Sequence, residues 1–292
     1  MIKSKTYAAL HRAVETELEK LLTPGGLITG EKIPPELAEQ MRYAFLSGGK
    51  RLRPVMCLAA CQAVSGDFRA AVPAALAIEI LHTYTLVHDD LPCMDNDEYR
   101  RGKLTNHAKF GCPQAVLAGD ALQALSFRLA SEGDLAPSRK IKIQKTLAVA
   151  ASAAGVISGQ WWDLFSKPPH DYDLVAKVIC RKTVALFKAA LEMGATAGGA
   201  TKKQTGALLN FGHQFGFGFQ LMDDIDDADA PGKENEMSIL RVMNKKDASF
   251  TVSLARNCAF GFLDELKYAC GQPAADALNL LGKLAEGLKI RE

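Results

Sequence analysis

Tyr7-Ala-Ala-Leu10-His-Arg-Ala-Val14-Glu-Thr-Glu-Leu18-Glu-Lys-Leu21 decides the fold class. Tyr7, Leu10, Val14, Leu18 and Leu21 recur every three or four residues, while Arg12, Glu15, Glu17 and Glu19 fall off that stripe, so the segment is predicted to be a helix with one buried face. The same periodicity dominates the rest of the chain. No Asn-Gly or Asp-Gly turn stands between alternating apolar residues, and the prediction is therefore all-α. Breaks are expected at Thr23-Pro24-Gly25-Gly26, Ile33-Pro34-Pro35, Gly48-Gly49, Ser65-Gly66-Asp67, Glu132-Gly133-Asp134, Lys167-Pro168-Pro169 and Ala230-Pro231-Gly232. With no repeat of solenoid period and no linker rich in Ser, Pro or Gly, residues 1–292 read as one domain.

Composition narrows the function. The 292 residues are 48% hydrophobic and 23% charged, enough for a sizeable core and unlike a disordered or fibrous chain. Lys plus Arg number 35 against 33 Asp plus Glu, so a net charge of +2 gives no bulk attraction to nucleic acid or an anionic membrane. Any anion chemistry must be local. The seven cysteines are odd in number and scattered, which favours free thiols in a reducing compartment, and only Cys57 and Cys61 stand one turn apart. Met1 to Leu22 mixes Lys3, Lys5, Glu15 and Glu17 with its apolar residues and reads as neither signal peptide nor anchor. Ala70 to Val87 is the longest nearly apolar run, but Glu79 and His82 interrupt it, so a buried helix is expected there. The cytoplasm is the expected location.

Two aspartate clusters in otherwise apolar helical sequence carry the functional argument: His88-Asp89-Asp90-Leu91-Pro92-Cys93-Met94-Asp95, and Asp223-Asp224-Ile225-Asp226-Asp227. On a helix, Asp223 and Asp227 share a face with Asp224 beside them. Unpaired, such carboxylates would raise one another's pKa, so they call for a cation, and hard oxygen ligands favour Mg2+ shared with substrate phosphates. Asp89 and Asp95 would be out of line on an ideal helix, and a bulge at Pro92 is expected to bring Asp95 back beside Asp89. The plainer alternative is a pair of solvated helix ends. Gly48-Gly49-Lys50-Arg51-Leu52-Arg53-Pro54 looks like a loop-to-helix junction whose three cations hold phosphate, and Arg100-Arg101-Gly102-Lys103 follows the first cluster closely. Metal-binding acids and cations at one cavity mouth suit a diphosphate.

At these residues the sequence resembles the trans-isoprenyl diphosphate synthases, most closely the bacterial farnesyl and geranylgeranyl diphosphate synthases. The resemblance runs from Gly48 to Asp227 through GGKRLRP, HDDLPCMDNDEYRRG, AGDAL at Ala118 to Leu122, Gly159-Gln160, Lys182-Thr183 and FQLMDDIDD from Phe219. It implies an all-helical isoprenoid synthase bundle with a deep central cavity, a homodimer, and Mg2+-dependent head-to-tail condensation of an allylic diphosphate with isopentenyl diphosphate. By the same resemblance Asp89, Asp90, Asp95, Asp223, Asp224 and Asp227 are the metal ligands. Arg100, Lys182 and Gln220 contact the allylic diphosphate, Lys50, Arg53, His82 and Arg101 hold isopentenyl diphosphate, and Gln160 and Thr183 line the reacting centre. A lysine beyond the second cluster closes over the diphosphate, with Lys233, Lys245 and Lys246 as candidates and Lys246 the assignment.

Tyr84 is five positions before Asp89, about one and a half turns deeper on the same helix, where a growing chain would collide with it. In the family a large aromatic there goes with farnesyl products, so a fifteen-carbon product is expected, with Thr85 offering little obstruction. Geranylgeranyl diphosphate is the alternative, and a noncatalytic partner subunit a further one. A class I terpene cyclase is disfavoured because positions four and eight beyond Asn235 hold Ile239 and Met243. Leu104, where the family usually has Pro, and the bulky Trp161-Trp162 are departures from its pattern.

Overall fold

The computed structural model describes residues 4–23, 33–228, 237–270 and 275–288, so Lys233 and the expected breaks at Pro24 to Gly26 and Ala230 to Gly232 lie outside the described residues. The helices are α1 (Lys5–Lys20), α2 (Pro35–Phe45), α3 (Leu52–Ser65), α4 (Val72–Asp89), α5 (Asn106–Phe110), α6 (Cys112–Leu129), α7 (Pro137–Ala151), α8 (Val156–Phe165), α9 (Tyr172–Ile179), α10 (Ala185–Gly198), α11 (Lys202–Asp226), α12 (Lys245–Cys270) and α13 (Ala275–Glu286). In α1 the Ser4 hydroxyl caps the first turn by accepting from the Tyr7 amide, and the predicted stripe from Tyr7 to Leu21 is buried throughout.

The apolar run is α4, with a short 3-10 turn, Arg69–Ala71, leading into it. Arg69–Asp89 is long and apolar enough to cross a membrane, but most of it is buried inside the bundle, where α4 packs on α3, α6 and α10. α11 packs along α10 and α12. Leu76, Ile80, Phe187, Leu191, Phe211 and Phe215 belong to one core cluster spanning these helices. The six cysteines among the described side chains are unpaired.

Two details depart from a purely regular helical chain. Between α9 and α10 the residues Cys180–Val184 form a π turn, in which the Ala185 amide donates to the Cys180 carbonyl five residues back. Tyr99–Arg100 pairs antiparallel with Lys103–Leu104 as a minimal hairpin. Its central residues Arg101 and Gly102 have φ of 55° and 76°, the left-handed pair that a tight hairpin requires. Arg101 holds this uncommon conformation while its guanidinium donates to the Gly48 carbonyl.

Candidate active site

Both acidic clusters sit at helix C-terminal ends, α4 for Asp89 and Asp90 and α11 for Asp223, Asp224 and Asp227, where the helix dipole disfavours negative charge. They are helix ends, as the plainer alternative had it, but only partly withdrawn from water: Asp90 is buried, Asp89, Asp223 and Asp224 are half-buried, and Asp95, Asp226 and Asp227 are exposed. Burial pushes the Asp89 carboxyl up to about 7, opposed by Lys182 and reinforced by Asp95. Burial likewise lifts Asp223 to about 6 against the pull of Lys50, with Asp227 and Asp224 adding to the rise. Asp90, Asp95 and Asp224 are also raised, each chiefly by burial.

Asp95 does return to Asp89, but not through a bulge in a continuing helix. α4 ends at Asp89, the Met94 and Asn96 amides donate to the Leu91 carbonyl at 2.8 and 3.1 Å, and the Asp95 amide donates to the Asp89 carbonyl at 2.9 Å. A closed turn thus replaces the expected bulge, because Pro92 has no amide with which to continue the ladder. Asp90 is buried and receives Arg100 through Nε and Nη2, both at 2.6 Å from Oδ1, while Arg100 also reaches Asp97 at 3.1 Å. Arg100, expected on the diphosphate, is here engaged with Asp90.

Lys182 lies on the π turn, and its ammonium donates to Asp163 of α8. Burial alone would lower the Lys182 pKa, but Asp163, Asp89 and Asp95 together raise it. Gly159 allows this approach, since a Cβ there would stand 2.5 Å from the Lys182 backbone nitrogen. Asp163 also raises both Asp95 and Asp224, which puts the Asp163–Lys182 pair between the two clusters. The sequence reading missed Asp163; its signal was a lone carboxylate three residues beyond Gln160 in an apolar helix.

The next residue, Thr183, donates to Gln220 Oε1 at 2.6 Å, and Gln220 Nε2 donates to Asp224 Oδ1 at 2.9 Å. Asp224 Oδ2 accepts from the Ser238 hydroxyl at 3.1 Å and the Ile239 amide at 2.7 Å. Both oxygens of Asp224 therefore accept from protein donors, which anchors the end of α11 and leaves one lone-pair site, on Oδ1, open. Both amide atoms of Gln160 are buried with no partner among the described residues.

The basic groups divide in two. Arg51, one of the three cations expected on phosphate, is buried against Glu15, Glu79 and the Phe45 carbonyl. Lys50, Arg53, His82 and Arg101 do converge. Arg53 Nη1 donates to His82 Nε2 at 3.2 Å, the guanidinium stands 4.5 Å from the Phe187 ring, and Arg53 Nε is buried without a partner among the described residues. Burial lowers Arg53 to about 10, with Glu79 and Asp223 opposing. Burial, then Arg53 and Arg101, hold His82 well below the usual imidazole range, so it is neutral and its Nδ1 carries the proton. Arg101 reaches Gly48 and fills the space beside Gly49.

Tyr84 is buried one turn before His88, with the ring centroids 5.1 Å apart and edge-on. Thr85 spends its hydroxyl on the His82 carbonyl at 2.8 Å. Lys245 and Lys246 are exposed in the first turn of α12, and neither forms an ion pair with a described acid. Trp161 is exposed and packs on Phe165, Trp162 lies 3.9 Å beneath Lys177, and the Leu104 carbonyl accepts from Tyr43 at 2.8 Å.

Among the described residues no three acids, histidines or cysteines gather closely enough to hold an ion alone. The donors nevertheless fit a hard divalent cation. They are all oxygen donors, with Asp89 and Asp223 half-buried and Asp95 and Asp227 exposed, and the coordination positions they leave open suit phosphate and water.

A sequence profile described as polyprenyl synthetase matches residues 34–259. Geranylgeranyl pyrophosphate synthase 12, chloroplastic, of Arabidopsis thaliana is 45% identical over 206 residues, 67% of this chain. The chain spans 57% of that relative's length. A solved structure of an FPP/GFPP synthase from Zymomonas mobilis superposes with a TM-score of 0.83 at 33% identity, covering 97% of this chain and 96% of the other. A geranyltransferase from Helicobacter pylori, complexed with magnesium and isoprenyl diphosphate, gives a TM-score of 0.80 at 30% identity, covering 99% and 97%.

Proposed function

The chain belongs to the polyprenyl synthetase family, and from that premise we propose that it condenses an allylic diphosphate with isopentenyl diphosphate, head to tail, with Mg2+ as cofactor. One observation carries the reading. An acidic pole (Asp89, Asp95, Asp223 and Asp227 around Asp163–Lys182) adjoins a basic pocket (Lys50, Arg53, His82 and Arg101), and Asp223 senses Lys50 while Arg53 senses Asp223.

Asp89 and Asp95 on one side, and Asp223 and Asp227 on the other, would hold the metal, which when bound supplies charge neutralisation for the departing diphosphate. Lys182 adds a fixed positive charge at that leaving group. In the basic pocket Lys50, Arg53 and Arg101 hold the homoallylic diphosphate, and the neutral His82 donates its Nδ1 proton to it. Thr183 and Gln220, bonded to each other, fix the π turn against α11, which keeps Lys182 at its station. The allylic C–O bond breaks to give a carbocation, the homoallylic double bond attacks it, and the released diphosphate accepts the proton that is lost. Lys246, or Lys245 beside it, remains our assignment for closure over the diphosphate. A homodimer and a cytoplasmic location complete the proposal.

For product length, the buried Tyr84 supports a fifteen-carbon stop, giving farnesyl diphosphate. The second reading, geranylgeranyl diphosphate, is favoured by the name of the curated relative. The test incubates the protein with isopentenyl diphosphate and each of dimethylallyl, geranyl and farnesyl diphosphates, with and without Mg2+, and measures product lengths. Metal-dependent product that stops at fifteen carbons is expected. A twenty-carbon product transfers the assignment to the second reading, and no condensation with any starter overturns both.

A further inference from the structure

The Tyr84 ring is held from outside the chain-length wall. His88, one turn later on α4, stands edge-on to it at 77°, with 5.1 Å between ring centroids. The imidazole in turn occupies the place a side chain would take at Gly119 of α6. A Cβ at that position would lie 2.1 Å from His88 Nε2 and 2.3 Å from Cδ2. The same Nε2 is 3.1 Å from the Val116 carbonyl, to which it donates, and 3.9 Å from Asp120. His88 is thus fixed by a glycine beneath it, a carbonyl at its polar edge and an aromatic ring above.

We propose that His88, seated on Gly119, is a positioning residue that sets product length by keeping the Tyr84 ring upright. The inference rests on Tyr84 being the floor. A tyrosine in a helix has few allowed χ1 settings, and the imidazole fills the space on the α6 side into which the ring would otherwise turn. With that space empty the floor yields, and the barrier to one further condensation falls relative to product release. Neither Gly119 nor His88 needs to touch the growing chain.

The experiment measures the ratio of twenty- to fifteen-carbon product at low conversion, from geranyl and isopentenyl diphosphates, for wild type, Tyr84→Ala, His88→Ala, Gly119→Ala and His88→Phe. His88→Ala and Gly119→Ala are expected to raise the ratio roughly two- to tenfold, the range spanned by losing one aromatic contact. His88→Phe keeps a ring over Gly119 and is expected to restore the wild-type ratio, which general loss of stability would not do. His88→Ala added to Tyr84→Ala should change the ratio no further. If Tyr84→Ala leaves the ratio unchanged, the floor reading itself fails. If Tyr84→Ala lengthens the product while His88→Ala and Gly119→Ala both leave the wild-type ratio, the floor stands and the seat proposed here is overturned.

Discussion

Glu79→Gln probes the charge network beneath the basic pocket. The Arg51 and Glu79 side chains are 1% and 3% exposed and 2.6 Å apart, so this ion pair is out of water. Removing one partner of such a pair costs about 3–5 kcal/mol, because the other charge is left buried. Gln keeps the shape and one acceptor, and Arg51 retains Glu15 at 2.7 Å and the Phe45 carbonyl at 2.6 Å. The expected loss is therefore smaller, about 2–3 kcal/mol. That corresponds to a fall in Tm of roughly 4–12 °C for a chain of this size. Glu15→Gln is the control. Glu15 is 29% exposed, so solvent screens its pairing, and the loss should stay below about 1 kcal/mol. Urea unfolding of both variants at neutral pH measures the difference. Because Arg53 and Arg101 also sense Glu79, inorganic diphosphate should stabilise Glu79→Gln more than wild type by replacing the missing negative charge. Glu79→Gln within about 0.5 kcal/mol of wild type, or no more costly than Glu15→Gln, would refute the claim that burial decides between these two carboxylates.

The carboxyls raised to about 7 at Asp89 and about 6 at Asp223 make the native chain hold protons that the unfolded chain releases near pH 4. Stability of the metal-free protein should accordingly fall as pH rises through about 4 to 7, and the rise in Tm caused by Mg2+ with diphosphate should be larger at about pH 8 than at about pH 5.5. A metal-induced shift independent of pH counts against the assignment. Asp163→Asn removes the charge that holds Lys182, and kcat/KM should drop roughly 10- to 100-fold while KM for isopentenyl diphosphate, bound elsewhere, stays put; a loss under about threefold would return Asp163 to the scaffold. Gly159→Ala should cost about 1–3 kcal/mol in urea unfolding, since the added methyl meets backbone at Lys182 rather than a side chain able to turn aside.

The sequence was most legible where one residue type has one physical use. The stripe from Tyr7 to Leu21 could bury only one face, Gly66 ends α3 in a left-handed conformation, and Gly133 and Pro168 fall in the connections after α6 and α8. Lys50, Arg53, His82 and Arg101 were grouped by the family resemblance rather than by spacing, with Arg101 51 positions from Lys50. What stayed hidden depends on partners that spacing does not reveal. Arg51 and Arg53 look alike in GGKRLRP, yet a left-handed backbone at Arg51, φ 45°, turns its side chain into the core toward Glu79. Asp163 gains its meaning from Lys182 across a π turn, and the effect of Pro92 depended on whether α4 continued or stopped.

The charged residues of the basic pocket and the acidic pole sort by whether the protein itself completes them. Arg51 is compensated on every side, by two carboxylates and a carbonyl, and has nothing left to offer a ligand. Asp224 is mostly satisfied, by Gln220 on one oxygen and Ser238 and Ile239 on the other. By contrast, among the described residues Arg53 keeps a buried Nε without a partner and Gln160 two such atoms, while Asp89 and Asp223 sit at helix ends that disfavour their charge. Each incomplete group costs folding free energy, which a divalent cation and diphosphates can return on binding. On the function proposed above, the residues whose hydrogen bonds or charges remain open among the described residues are the ones that would receive substrate, while the closed ones hold those open groups in place.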